Sequence, residues 1–165
     1  MKTKDICTAA VAVALIFAVT RFIQIPIPLG YFNVGNTIIL LFALLLPEDC
    51  GIFAGGVGSA LADLSSYPAY TLPTLVIKAL MVLIFCQCRR HFPNKKAAIP
   101  LSMGIATLIP LFGYTLTGMV LCGSFYTGLA QFPGLLLEYA ANLVLFTLAQ
   151  SQIQKLARSA ERQAA

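Results

Sequence analysis

Apolar stretches long enough to cross a bilayer alternate along this chain with short polar or basic punctuation. The first runs from Ile6 to Ile23, close to the roughly 20 residues that a hydrocarbon core demands of a helix. It lacks a small-x-small cleavage site with a polar sequence behind it, so it is read as a retained first helix. The next stretch, Gln24-Ile-Pro-Ile-Pro-Leu-Gly-Tyr-Phe-Asn-Val-Gly-Asn36, carries two prolines and two glycines, which break a helix. It is expected to be an outward loop with room to fold back into the membrane. Residues 37–47 are apolar, Pro47-Glu-Asp-Cys50 makes a tight turn, and residues 51–64 are rich in small side chains, including Gly51, Ala54, Gly55, Gly58 and Ala62. Both segments are short for spanning, and either two crossings or a re-entrant hairpin returns the chain to the same side. Two crossings are favoured, because small residues at four-residue spacing let helices approach closely.

Ser65–Tyr70 reads as an outer loop and Thr71–Cys88 as the fourth span. The basic loop Arg89–Lys96 follows, then a fifth span within Ile99–Cys122 that Pro110 and several glycines interrupt. Gly123–Pro133 is expected to be a short, partly helical outer segment, Gly134–Ser151 the last span, and Gln152–Ala165 a polar tail. The resulting expectation is an all-α membrane protein of six transmembrane helices, one domain over residues 1–165, without a repeat of fixed period or a soluble catalytic domain.

Composition strengthens this reading. The chain is 59% hydrophobic and 10% charged, against about 25% charged in ordinary soluble domains. Charge placement then orients it. Of the eleven Lys and Arg residues, all but two fall in Lys2 and Lys4, in Arg89, Arg90, Lys95 and Lys96, and in Lys155, Arg158 and Arg162. All of these can lie on one side of the membrane, which puts both termini and the middle loop in the cytoplasm. The net charge of +5 sits at segment ends rather than on one amphipathic face. It therefore signals topology and contact with anionic headgroups in the lipid bilayer, not nucleic acid.

The two basic residues left over, Arg21 and Lys78, join Asp63 and Glu138 as ionisable groups inside apolar segments. Such groups are costly in a membrane and need a partner or a watery cavity. Lys78 lies about 10 Å into its helix, at about 1.5 Å per residue. Asn33, Asn36, Tyr67, Tyr70, Thr74, Tyr114, Tyr139 and Asn142 gather at the same level. Glu138 and Asn142 are four apart and share a helical face; Thr71, Thr74 and Lys78 form another stripe. Together these groups would line a cavity open to the outside and suited to a small polar ring compound. A structural reading competes: Asp63 pairs with Arg21 or Lys78, Glu138 caps a helix or pairs with Lys78, the tyrosines form an aromatic belt, and Asn33 and Asn36 satisfy turn backbones.

Other chemistries find little support. Gly55-Gly-Val-Gly58 lacks the Lys-Ser/Thr of a phosphate-binding loop, so no energy source of the chain's own is visible. The single His91 sits in a basic loop and cannot serve a Ser-His-Asp set. Cys86-x-Cys88 has no second ligand pair, so no metal is expected. Together with Cys7, Cys50 and Cys122 these read as free thiols in a reducing compartment. On the first helix Ala10, Ala14 and Ala18 recur at four-residue spacing, a smooth stripe for internal packing or for a partner subunit.

The chain resembles the substrate-binding membrane subunit, the S component, of energy-coupling factor (ECF) vitamin transporters. The resemblance is carried by Ala10-x-x-x-Ala14, by Ile25 to Asn36, by Gly51 to Asp63, and by Pro73-Thr-Leu-Val-Ile-Lys78. It is similar to the riboflavin-type branch, which includes hydroxymethylpyrimidine- and pyridoxine-type members. It departs from that branch at Asn36, where an acid is common. The resemblance implies a six-helix S-component fold that captures a vitamin at an outward site. It also implies partners: a membrane scaffold subunit that contacts Ala10 and Ala14, and two cytoplasmic ATPase subunits that use ATP, while this chain binds no cofactor. The function expected is import of hydroxymethylpyrimidine or pyridoxine across a bacterial plasma membrane. Riboflavin, a larger ring, is less favoured in a chain without Trp. Lys78, Glu138 and Asn142 would bond the ligand, Tyr67, Tyr70 and Tyr114 would stack or close over it, and Asn33 and Asn36 would gate. The alternatives are a small intramembrane lipid-modifying enzyme, using Asp63 with Glu138, and a membrane assembly protein that only binds partners.

Overall fold

The computed structural model describes residues 3–27, 30–92 and 95–164, with side chains described for residues 3–25, 33–92 and 98–152. Lys2 and the side chains of Lys95, Lys96, Lys155, Arg158 and Arg162 therefore lie outside the described residues, as do Pro28 and Leu29 of the first loop.

The chain is nearly all helical. In order it forms α1 (Thr3–Phe22), a hairpin of β1 (Gln24–Ile27) and β2 (Gly30–Asn33), α2 (Gly35–Leu45), α3 (Glu48–Ser66), a 3-10 turn (Pro68–Tyr70), α4 (Thr71–His91), α5 (Lys95–Ala106), α6 (Leu108–Leu121) and α7 (Phe125–Ala164). The hairpin corrects the all-α expectation. β1 and β2 pair antiparallel in the register Gln24↔Asn33 through Ile27↔Gly30. Pro26 cannot join a helix, but in a two-stranded ribbon its missing N–H faces an edge and breaks no ladder.

Among the described residues, four helical stretches are long and apolar enough to cross a membrane: Thr3–Phe22, Pro68–His91, Ala98–Leu121 and Phe125–Gln152. The third is α5 and α6 end to end, parted at Thr107. Pro110 causes the break, because it has no N–H for the carbonyl one turn back. The fourth corrects the expected outer segment: α7 passes unbroken through Pro133. The lost bond and ring clash cost about 3 kcal/mol in a helix interior. Contacts on both sides of the proline hold the helix together, among them the Phe112–Phe132 ring pair at 6.4 Å. Between α6 and α7 the chain reverses at Gly123, whose φ of 60° is the left-handed conformation that closes a helix C-terminus.

α2 has 11 residues and α3 has 19, or about 16 and 28 Å of helix. α3 lies at the centre, packed most extensively on α1 and α4. Its small residues make this possible: a Cβ on Gly58 would lie 2.9 Å from Ile16 Cγ2 and 3.0 Å from the Val13 carbonyl of α1. The faces of α1 are divided. Ala9, Ala12, Ile16 and Thr20 are buried, whereas Ala10 and Ala14 are exposed. The core gathers Ile16, Ile39, Leu40, Met81, Val82, Phe85 and Phe146, with Phe85 and Phe146 edge to face at 6.1 Å.

The two ends of the bundle differ chemically. At one end Arg90 of α4 pairs with Glu48 at the start of α3. At the other, Lys78 of α4 meets Asn36 at the start of α2. Lys78 to Arg90 spans about 18 Å of α4, and Asn36 to Glu48 is an equal number of residues along α2 and its Leu46–Pro47 link to α3. α2 is therefore short because it begins level with Lys78, two turns inside α4, beneath the hairpin.

Candidate functional site

Four helices and the hairpin bring a buried polar cluster together at this recessed level. Asn33, Asn36, Thr37, Asp63, Thr74, Lys78, Glu138 and Asn142 are each at most 5% exposed. The amphipathic logic is plainest on α7, where Gln131, Glu138 and Asn142 fall on one face at spacings of seven and four and are all buried.

Asn36 is the bridge. Its Oδ1 accepts a bond from Lys78 Nζ at 2.5 Å, and its Nδ2 donates to Glu138 Oε1 at 3.1 Å. An ammonium only donates and a carboxylate only accepts, so this arrangement fixes the orientation of the amide. Lys78 lies within electrostatic reach of both Glu138 and Asp63, and its ammonium stands 5.2 Å from the Tyr114 ring centre. The cation is thus embedded among an amide, two carboxylates and an aromatic face, which is how a buried charge is made tolerable.

Asn142 ties the hairpin and α2 to α7. Its Oδ1 accepts from the Thr37 backbone N–H at 3.0 Å and from the Thr37 hydroxyl at 2.9 Å. Its Nδ2 donates to the Asn33 and Glu138 carbonyls, both at 2.9 Å. On the far side of Lys78, the Thr74 hydroxyl donates to Asp63 and lies 3.1 Å from the Tyr114 hydroxyl. Tyr70 packs near Tyr114, with ring centres 6.4 Å apart, and accepts a bond from Gln131 at 3.2 Å.

A narrow cleft opens beside this network. It is lined by Asn36, Thr107, Pro110, Leu111, Tyr114, Leu135, Glu138 and Tyr139, and its enclosed free space is about 10 Å³, the room of roughly one water. Polar groups on apolar walls are the ordinary make-up of a small-molecule site.

The sequence-derived candidates divide accordingly. Asn36, Tyr114 and Glu138 face the cleft. Asn33, Asp63, Thr74, Lys78 and Asn142 are buried behind it, and Tyr70 is half-buried beside Tyr114. Tyr67, at the C-cap of α3, is 41% exposed and is not part of the cleft wall. Arg21 is half-buried at the end of α1. Sequence reasoning missed Thr37, Gln131 and Thr107. Gln131 was legible as one more member of the α7 stripe. A lone Thr within an apolar helix carries no such signal. All five cysteines are free.

Comparison with known proteins gives this geometry a context. A family model described as "ECF-type riboflavin transporter, S component" matches residues 1–155. A protein of Pyrococcus woesei described as "Uncharacterized protein in gap 3'region" is 38% identical over 120 residues, covering 68% of this chain and 80% of that one. The fold is similar to one reported under "Structure and mechanism of the S component of a bacterial ECF transporter". There the TM-score is 0.75 at 14% identity, over 95% of this chain and 99% of that one.

Proposed function

The chain belongs to the S-component family of ECF-type riboflavin transporters, and from that premise we propose that it is the subunit that captures a small vitamin or vitamin precursor for import. The family is one of transporter components rather than enzymes, so the intramembrane transferase alternative falls away. The observation that carries the proposal is the convergence of Asn36, Tyr114 and Glu138, from three separate helices, on one cleft at the recessed end of the bundle. The buried layer of Asn33, Asp63, Thr74, Lys78 and Asn142 holds them in place.

Hydroxymethylpyrimidine or pyridoxine is the first choice of ligand, ahead of riboflavin. A single ring demands the least opening of so tight a cleft, and the chain has no Trp to stack on a tricyclic system. Tyr67 and Tyr70 would close the rim over a bound molecule. Lys78 serves as a positioning group, because Asn36 and Tyr114 stand between it and the cleft.

The proposed topology has six crossings with both termini and the basic ends cytoplasmic. The equal run from Lys78 to Arg90 and from Asn36 to Glu48 supports α2 as a crossing segment that meets a hairpin sunk into the outer leaflet. The chain lacks a nucleotide-phosphate loop, so ATP would be used by two partner ATPase subunits, with a membrane scaffold seated on the exposed Ala10–Ala14 face of α1. Calorimetry of the purified protein against a vitamin panel tests the reading. Saturable binding of one member is expected, and no binding to any member would overturn it.

A further inference from the structure

The hydrogen atoms of the cleft are nearly all spent. Thr74 gives its single hydroxyl hydrogen to Asp63, so in the 3.1 Å contact between the two hydroxyls it is Tyr114 that must donate, to Thr74. Tyr139 donates to the Gly104 carbonyl at 3.3 Å. Thr107 donates to the Met103 carbonyl at 2.8 Å. One hydrogen of the Asn36 amide goes to Glu138. Glu138 Oε1 accepts from Asn36, and in its ionised form Glu138 has no hydrogen to give. With Glu138 ionised, only the second hydrogen of the Asn36 amide is unassigned among the described polar side chains that line the cleft. Lone pairs remain on Glu138, Tyr114, Tyr139 and Thr107.

Charge points the same way. The only ammonium of the cluster, on Lys78, is 2% exposed, sits behind Asn36 and the Tyr114 ring and is not part of the cleft wall. A ligand entering the cleft meets Glu138, and no cation is among the residues that line it.

We propose that this cleft is a donor-seeking site, selecting a flat ring that brings amino, ring N–H or hydroxyl hydrogens and turning away ligands whose polar group is a carboxylate or a phosphate ester. The inference rests on the vitamin-capture reading and narrows it by chemistry. A buried acceptor left without a donor is costly, and a site built around one polar partner discriminates strongly against an analogue lacking it.

The test is a matched pair of ligands on the full chain in detergent. 4-Amino-5-hydroxymethyl-2-methylpyrimidine and its 4-methyl isostere differ only in the donor group, and pyridine-3-carboxylate supplies the anion. The amine is expected to bind at least tenfold tighter than the isostere, and the carboxylate not at all at concentrations that saturate with the amine. Glu138→Gln is expected to shrink the preference to about threefold or less; if that variant does not fold, the pair on the unaltered protein decides alone. Equal affinity for amine and isostere overturns the proposal and leaves vitamin capture standing. So does binding of an acid or phosphate ester when neither pyrimidine binds. No binding of any ring overturns both.

Discussion

Asn142→Ala removes the side chain through which α7 holds the hairpin and α2. Asn142 is fully buried, and its amide accepts two bonds from Thr37 and gives one to the Asn33 carbonyl. Not all of this is lost. The Thr37 hydroxyl retains a bond to the Asn142 carbonyl at 3.1 Å, and the Thr37 N–H retains one to Val34 at 3.2 Å. The Glu138 carbonyl keeps its helical partner. About two interhelical bonds disappear outright. In soluble proteins each orphaned buried group costs about 1–3 kcal/mol. In membrane helices, measured interhelical bonds average about 0.6 and reach about 1.7 kcal/mol, because the unfolded chain in lipid also finds partners. The membrane figures apply here and give a loss of about 1–3 kcal/mol. At about 2–4 °C per kcal/mol for a chain of this size, a central loss of about 2 kcal/mol lowers the melting temperature by about 4–8 °C. Thermal unfolding in detergent, followed by circular dichroism, measures this directly. Asn142→Asp keeps the acceptor toward Thr37, loses the donor toward Asn33, and adds a charge one helical turn from Glu138; it should be at least as destabilising. A melting temperature within about 1 °C of the parent for Asn142→Ala would refute the claim that this amide fastens the site.

Lys78→Met should cost about 3–5 kcal/mol by leaving the Glu138 and Asp63 carboxylates buried without their cation. Adding Glu138→Gln should restore part of that loss; denaturant titration of the single and double variants reads the coupling, and simple additivity would contradict it. Glu48→Gln should change stability by less than about 1 kcal/mol, because its partner Arg90 has a 68% exposed side chain and exposed ion pairs contribute little. Ala14→Trp should leave vitamin affinity unchanged while abolishing co-purification with a scaffold subunit. If such a complex survives the bulky substitution, the docking face lies elsewhere.

The hairpin and Pro133 show opposite limits of local reading. Pro26 and the neighbouring glycines correctly forbade a helix, but nothing local distinguished a loop from paired strands, since the pairing depends on Gln24 meeting Asn33 across the turn. Pro133 looked like a helix boundary and is not one, because packing of Phe132 and Gln131 outweighs the missing backbone bond.

Membrane class and the apolar segments were legible in the chain alone, because hydropathy acts segment by segment. The identities of the polar cluster were legible for the same reason: Lys78, Asp63, Glu138 and Asn142 stand out where a polar group is costly. Tertiary structure alone decided which of them meet. Thr37 and Asn142 are 105 positions apart, Asn36 and Glu138 are 102 apart, and no periodicity links such pairs. Only the fold could put Lys78 behind Asn36 and Glu138 in front, because burial depth and the direction of each hydrogen bond arise when separate helices meet.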